Sequence, residues 1–215
     1  GKPFTPLNYR LDDADLQRLL ERTAPAIAIV DADMMPRVAG TEGIVFIDSE
    51  DFLAACREKA AAGAEVPFTD EEIAVLLFTS GTTGDPKAAV LRHTNLTSYV
   101  ISSVEFMGAG EDEAALVSVP PYHIAGISAV LTGVYSGRRI VYLPNFTPEA
   151  WVDAAASEKI SHAMVVPTML GRVLDLIEQR DENLPHLRAL SYGGGRMPQS
   201  VIERALGLLP HVNFV

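Results

Sequence analysis

The chain has 215 residues, 48% of them apolar, and carries 17 lysines and arginines against 28 aspartates and glutamates, a formal net charge of −11. That is enough chain and apolar surface for one large domain or two small ones with a real core. The acidic balance argues against a nucleic-acid partner, but a nucleotide needs only a few N–H groups and one lysine and is not excluded.

The single cysteine, Cys56, excludes a disulfide framework and a Cys-based metal site and suits a reducing, cytoplasmic compartment. The histidines (His93, His123, His162, His186 and His211) show no ligand spacing, and no apolar run approaches a membrane span. The first residues do not read as a signal peptide, Gly1-Lys2-Pro3 does not read as a natural start, and Asn213-Phe214-Val215 reads as a strand cut short, so both ends are expected to belong to a longer protein.

In chain order, Asp12 caps a helix with Leu16, Leu19 and Leu20 on one face. Strands are predicted at Ala26–Val30 and Ile44–Ile47. A helix from about Glu50 buries Phe52, Leu53 and Cys56, and Ala60–Pro67 reads as a small-residue linker. Ile73–Phe78 is a strand, and a helix follows with Leu96, Tyr99, Val100, Ser103, Val104 and Met107 on one face. Gly108–Glu113 breaks the pattern and divides the chain into subdomains 1–108 and 114–215.

In the second half, strands are predicted at Ala115–Val119, Arg139–Leu143, His162–Val166 and Leu187–Ser191. Helices open at Thr147-Pro148 and Pro198, and another carries Leu170, Val173, Leu174 and Ile177. Trp151 reads as core, and Val201, Ile202, Ala205 and Leu206 as the inward face of the last helix. Glu111-Asp112-Glu113 reads as a solvated turn, and His162 and His211 carry no partner signal. The alternation predicts an α/β fold with two mostly parallel sheets flanked by helices, ligands sitting beyond the carboxyl ends of the strands.

One stretch asks for chemistry. The strand ending at Phe78 runs into Thr79-Ser80-Gly81-Thr82-Thr83-Gly84-Asp85-Pro86-Lys87. Glycines let a backbone approach a phosphate closely, successive N–H groups make an anion-binding concavity, and hydroxyls and a lysine add donors and charge. The spacing is not that of a Walker P-loop, which needs Gly-Lys-Ser/Thr after Gly and four residues. A generic Ser/Thr/Gly surface turn is the bland alternative.

The stretch TSGTTGDPK resembles the phosphate-binding signature of the adenylate-forming enzymes, a family of acyl-CoA synthetases, aryl-CoA ligases, luciferases and peptide-synthetase adenylation domains. Three further stretches agree in order: LNYRL at Leu7–Leu11, Pro120-Pro121-Tyr122-His123-Ile124-Ala125-Gly126, and Ser191-Tyr192-Gly193-Gly194-Gly195-Arg196-Met197-Pro198. The resemblance is strongest to fatty- and aryl-acid CoA ligases and spans nearly the whole chain. It departs at Ala88, where the family has glycine after the signature lysine, which puts the local turn geometry in question.

The resemblance implies ATP, Mg²⁺ and coenzyme A. A carboxylic acid, most simply a fatty acid, attacks ATP to give an acyl-adenylate, and the acyl group passes to the thiol. The substrate carboxylate is its own nucleophile, so positioning and charge stabilisation carry the catalysis. It further implies that Thr79, Ser80, Gly81, Thr82, Thr83, Gly84 and Lys87 hold the phosphates, Thr82 and Thr83 also serving the metal. His123 would gate the acyl pocket, although position alone favours a packed histidine beside Tyr122. Gly193, Gly194 and Gly195 would let backbone lie against adenine, with Arg196 and Met197 on the acyl side. The family's magnesium glutamate, ribose aspartate and carboxy-terminal lysine fall outside these residues, so the isolated chain is expected not to complete adenylation. A non-catalytic nucleotide-binding fragment and a carrier-protein-loading domain are the alternatives.

Overall fold

The computed structural model of the chain describes residues 2–58, 69–79 and 86–215. The 60–67 linker reading and Ser80–Gly84 lie outside them. Residues 1–93 and 94–215 form two compact units.

The first unit runs α1 (Asp13–Thr23), β1 (Ala26–Val30), α2 (Met35–Val38), β2 (Ile44–Asp48), α3 (Ser49–Arg57), β3 (Ile73–Thr79) and β4 (Lys87–Arg92). Asp12 caps α1 as its sequence requires, its carboxylate accepting from the Asp15 N–H at 2.8 Å. Leu16 and Leu20 pack with Val38 against Leu7, Leu11, Ala28, Val30 and Phe46. Arg37 ties the LNYRL segment down, donating to the carbonyls of Tyr9 (2.8 Å) and Leu11 (2.5 Å) while pairing with Asp13.

β1 and β2 form a two-stranded parallel sheet, and β3 and β4 an antiparallel hairpin. The parallel, helix-flanked α/β plan is as expected, and the hairpin is the addition. One expectation fails here. α3 buries none of its residues; Phe52 is 39% and Leu53 51% exposed, and Cys56 is exposed. The physical reason is width: two strands about 4.8 Å apart cannot cover a helix about 10 Å across.

The second unit follows α4 (His93–Ser103) with β5 (Ala114–Val117), α5 (Ile124–Ser136), β6 (Arg139–Tyr142), α6 (Pro148–Ser157), β7 (His162–Val165), α7 (Pro167–Arg180), β8 (Ala189–Tyr192), α8 (Gln199–Leu208) and β9 (Asn213–Phe214). On α4 only Val100 is buried; Tyr99 is exposed, and Met107 lies beyond the helix. The five strands are all parallel, in the order β6-β5-β7-β8-β9. The chain leaves β5 for β6 on one side and later returns to β7 on the other, so the strand order reverses between β5 and β7.

The main core lies under α6, α7 and α8. Trp151, Leu170, Leu174, Ile177 and Leu190 are no more than 1% exposed. Thr147 caps α6, its hydroxyl accepting from the Ala150 N–H at 3.1 Å, with Pro148 at the first position. On α8, Ala205 is fully buried but Leu206 is half exposed, against the inward reading.

At the amino-terminal edge of this sheet Glu113 is a half-buried ion-pair hub rather than part of a solvated turn. Its carboxylate meets Arg138 at 2.8 Å and Arg188 at 3.6 Å, and lies 3.8 Å from His162 Nδ1. His162 and His211 both have partners: Ser161 Oγ lies 2.8 Å from His162 Nδ1, and His211 Nε2 is 3.2 Å from the Leu184 carbonyl.

Burial, then the positive charges of Arg138 and Arg188, push His162 below the ordinary histidine value of 6.5, with Glu113 opposing. The folded state therefore favours neutral His162, and the unfolded chain takes up the proton first as pH falls below about 6.5. The contribution is intact above that value and lost as pH falls towards the folded value. Denaturation midpoints are thus expected to drop from pH 7 to pH 5, and His162→Gln to flatten the drop. An unchanged profile in that variant would remove His162 from the account.

Candidate functional site

The antiparallel hairpin holds the first group of candidates, within the first unit. Thr79 pairs with Lys87 as the last rung of the β3–β4 ladder, and the Thr79 hydroxyl also donates to the Lys87 carbonyl at 3.3 Å. Ser80, Gly81, Thr82, Thr83 and Gly84, between them, lie outside the described residues. β4 was not among the predicted elements, and it answers the question raised by Ala88. Ala88 pairs with Phe78 and Ala89 with Leu77 as ordinary strand residues, where a Cβ costs nothing. Lys87 is exposed and makes no ion pair among the described residues. An exposed ammonium next in sequence to a glycine- and hydroxyl-rich stretch suits a polyphosphate anion.

The second unit supplies the other candidates at one edge of one sheet. In a parallel sheet the carboxyl ends of all strands share an edge, and ligands settle there where the strand order reverses. That place is between the loops after β5 and β7. Ser118, 5% exposed, fixes the first loop by donating to the Met164 carbonyl at 3.3 Å. Tyr122 is buried, its ring 4.8 Å from that of His123. His123 is exposed, in extended backbone at the N-cap of α5, and its side chain makes no capping bond. It is therefore held beside Tyr122 without being packed away.

Gly126 shows why the loop folds so closely on α5. A Cβ there would lie 2.5 Å from the Pro120 carbonyl oxygen and 2.6 Å from that of Val119.

The loop after β8 holds the remaining candidates. Gly193 donates to the Val165 carbonyl at 3.3 Å, so this loop is tied to the end of β7. Of the glycine run only Gly194 has a left-handed backbone, φ 79°. A Cβ at Gly193 or Gly195 would meet only ordinary contacts, at 3.5 Å and 3.7 Å. Arg196 and Met197, with Pro198 and Gln199, line a cavity of 390 Å³ at the start of α8, and Met197 also packs on the core. His123 and the Gly193–Met197 loop thus stand at the ends of β5 and β8, with β7 between them. Among the described residues no group of three or more His, Cys, Asp or Glu side chains is arranged to hold a metal.

The AMP-binding enzyme family matches residues 1–215, and the chain belongs to that family. It is 29% identical to feruloyl-CoA synthase of Amycolatopsis sp, over 96% of this chain and 42% of that protein. It is 31% identical to 2-succinylbenzoate–CoA ligase of Bacillus pumilus, over 66% of this chain and 28% of the relative. The chain therefore spans less than half the length of these relatives. Among solved structures, the fold matches o-succinylbenzoate coenzyme A synthetase from Bacillus subtilis in complex with ATP and magnesium ion, with TM-score 0.76 and 23% identity, covering 96% of this chain and 42% of that one. The ATP-bound RpMatB-BxBclM chimera matches with TM-score 0.84 and 22% identity, covering 99% and 44%. No helix among the described residues is long and apolar enough to cross a membrane.

Proposed function

We propose that this chain is the ATP- and acid-binding part of an acid–thiol ligase. The substrate carboxylate attacks the α-phosphate of ATP, forming an acyl-adenylate and releasing pyrophosphate, and the thiol of coenzyme A then takes the acyl group and releases AMP. The observation that carries the reading is family membership over the whole chain, joined to the exposed ammonium of Lys87 next in sequence to its glycine- and hydroxyl-rich stretch.

Residues 1–108 would supply the phosphate grip through Thr79, Ser80, Gly81, Thr82, Thr83, Gly84 and Lys87. Mg²⁺, when bound, would neutralise polyphosphate charge, and Thr82 and Thr83 would offer their hydroxyls to it. Residues 114–215 would supply His123 as a gate between acid and adenylate, Gly193–Gly195 as the floor under adenine, and Arg196 with Met197 on the acid side. None of these groups needs to become a nucleophile. Their work is to hold the carboxylate in line and to stabilise charge developing at the α-phosphate. A reducing, cytoplasmic compartment suits the free, exposed Cys56.

The acid is the finer question. The motif resemblance points to a fatty acid, whereas the feruloyl and 2-succinylbenzoate names of the relatives favour an aryl acid, and we propose the aryl class. ATP–pyrophosphate exchange by the intact protein, run against aryl acids and short, medium and long fatty acids, is expected to depend on an aryl acid. Exchange with fatty acids alone would restore the first expectation. ATP binding with no exchange for any acid would favour a nucleotide-binding module without the chemistry.

A further inference from the structure

Arg22 sits in the last turn of α1, far along the chain from the phosphate loop. Its position alone assigns it to the negative end of the helix dipole. Its guanidinium instead leaves the helix. Nη1 donates to the carbonyl of Pro86, and the guanidinium carbon lies 5.2 Å from the centre of the Phe78 ring. Phe78 is the strand residue before Thr79, and Pro86 is the residue before Lys87. One side chain therefore grips both stems of the hairpin just below its mouth. The carbonyl it takes belongs to the peptide whose N–H is that of Lys87.

We propose that Arg22 is a positioning residue for Lys87, fixing the Phe78–Thr79 and Pro86–Lys87 stems so that Lys87 leaves the ladder in one direction. This rests on the ligase reading above. A charge-assisted bond to a carbonyl and a cation–π contact on opposite stems resist splaying, which Thr79–Lys87 pairing at the end of a ladder does weakly. Pro86 makes the arrangement economical: it has no N–H to compete for a ladder partner, and its φ is already fixed. A guanidinium suits the double task because its planar cation can lie over an aromatic ring while an N–H at its edge donates. Lysine can supply the donor but not the planar cation.

The test uses the intact protein and two readouts. Arg22→Ala is expected to raise the KM for ATP in pyrophosphate exchange about tenfold, leaving the KM for the acid within about twofold. Arg22→Lys is expected to recover part of the loss. Hydrogen–deuterium exchange is expected to rise in Arg22→Ala at Phe78, Thr79 and Lys87 and to stay unchanged in β7 and β8. Equal rises in both KM values, or an unchanged KM for ATP, would overturn the proposal. So would an exchange pattern that spreads evenly over the fold. If the wild-type protein binds no ATP, the ligase reading falls and the positioning role with it. If ATP binds normally and only the Arg22 effects are missing, the reading stands and the proposal alone fails.

Discussion

Lys87→Ala is expected to lower kcat/KM for ATP by about 10²-fold or more, while the protein melts where the wild type does. The two halves of that expectation have different origins. Lys87 is exposed and makes no ion pair among the described residues, so truncating it opens no cavity and strands no buried charge. Its backbone keeps the rung with Thr79 whatever its side chain, since the ladder and the Thr79 hydroxyl bond use main-chain groups of residue 87. The cost therefore falls on ligand charge. A preorganised donor to developing phosphate charge is worth about 3 kcal/mol in such sites, about a hundredfold in rate. Lys87→Arg keeps the charge but replaces a compact ammonium with a planar fork, and is expected to recover only part of the activity. Pyrophosphate exchange with ATP varied, beside thermal denaturation, checks both halves. Activity within about twofold of wild type in Lys87→Ala would end the assignment of this lysine to the phosphates.

Much of the second unit was legible in the sequence because its signals are local and dense. Thr147-Pro148 announces a helix start, Leu170, Val173, Leu174 and Ile177 announce a buried face, and the structure has both. β1 runs over the predicted residues for the same reason, a short apolar run closed by Asp31. α5 was missed because IAGISAVLTGVYS is apolar or small all round, and His123 gives it no side-chain cap. β4 was missed because Lys87-Ala88-Ala89 carries little strand signal; its partner β3 specifies it.

What local reading could not reach is what long-range contacts decide. Glu113 looks like part of an acidic turn until Arg138, Arg188 and His162 are brought to it. The same holds for Arg22 and Pro86. For the candidate site, residue types and order were readable, and so was the rule that ligands meet the carboxyl ends of parallel strands. That His123 and Gly193–Met197 share one sheet edge required the strand order β6-β5-β7-β8-β9, which no single motif encodes.

Gly126→Ala is expected to destabilise the second unit by about 1–3 kcal/mol and to reduce acid-dependent exchange by about 10²-fold. The sign is what makes the test sharp. Glycine to alanine inside a helix ordinarily stabilises by up to about 1 kcal/mol, because alanine loses less chain entropy on folding. At Gly126 the new methyl would meet the carbonyl oxygens of Pro120 and Val119 at 2.5 and 2.6 Å. Both are main-chain atoms, so no side chain can rotate away; the loop or the first turn of α5 must move. His123 joins the two, its N–H bonded to the Pro120 carbonyl and its own carbonyl accepting from Gly126, each at 3.0 Å. A shift that relieves the clash therefore moves the proposed gate. Gly171→Ala, on α7, is the control, since a Cβ there meets nothing within 4 Å. It is expected to be neutral or stabilising and fully active. The measurements are thermal denaturation and exchange with acid and ATP varied separately, the KM for ATP changing less than the acid-dependent rate. If Gly126→Ala proves as stable and active as Gly171→Ala, α5 does not press on the Pro120 loop, and His123 is not held where the acid would pass.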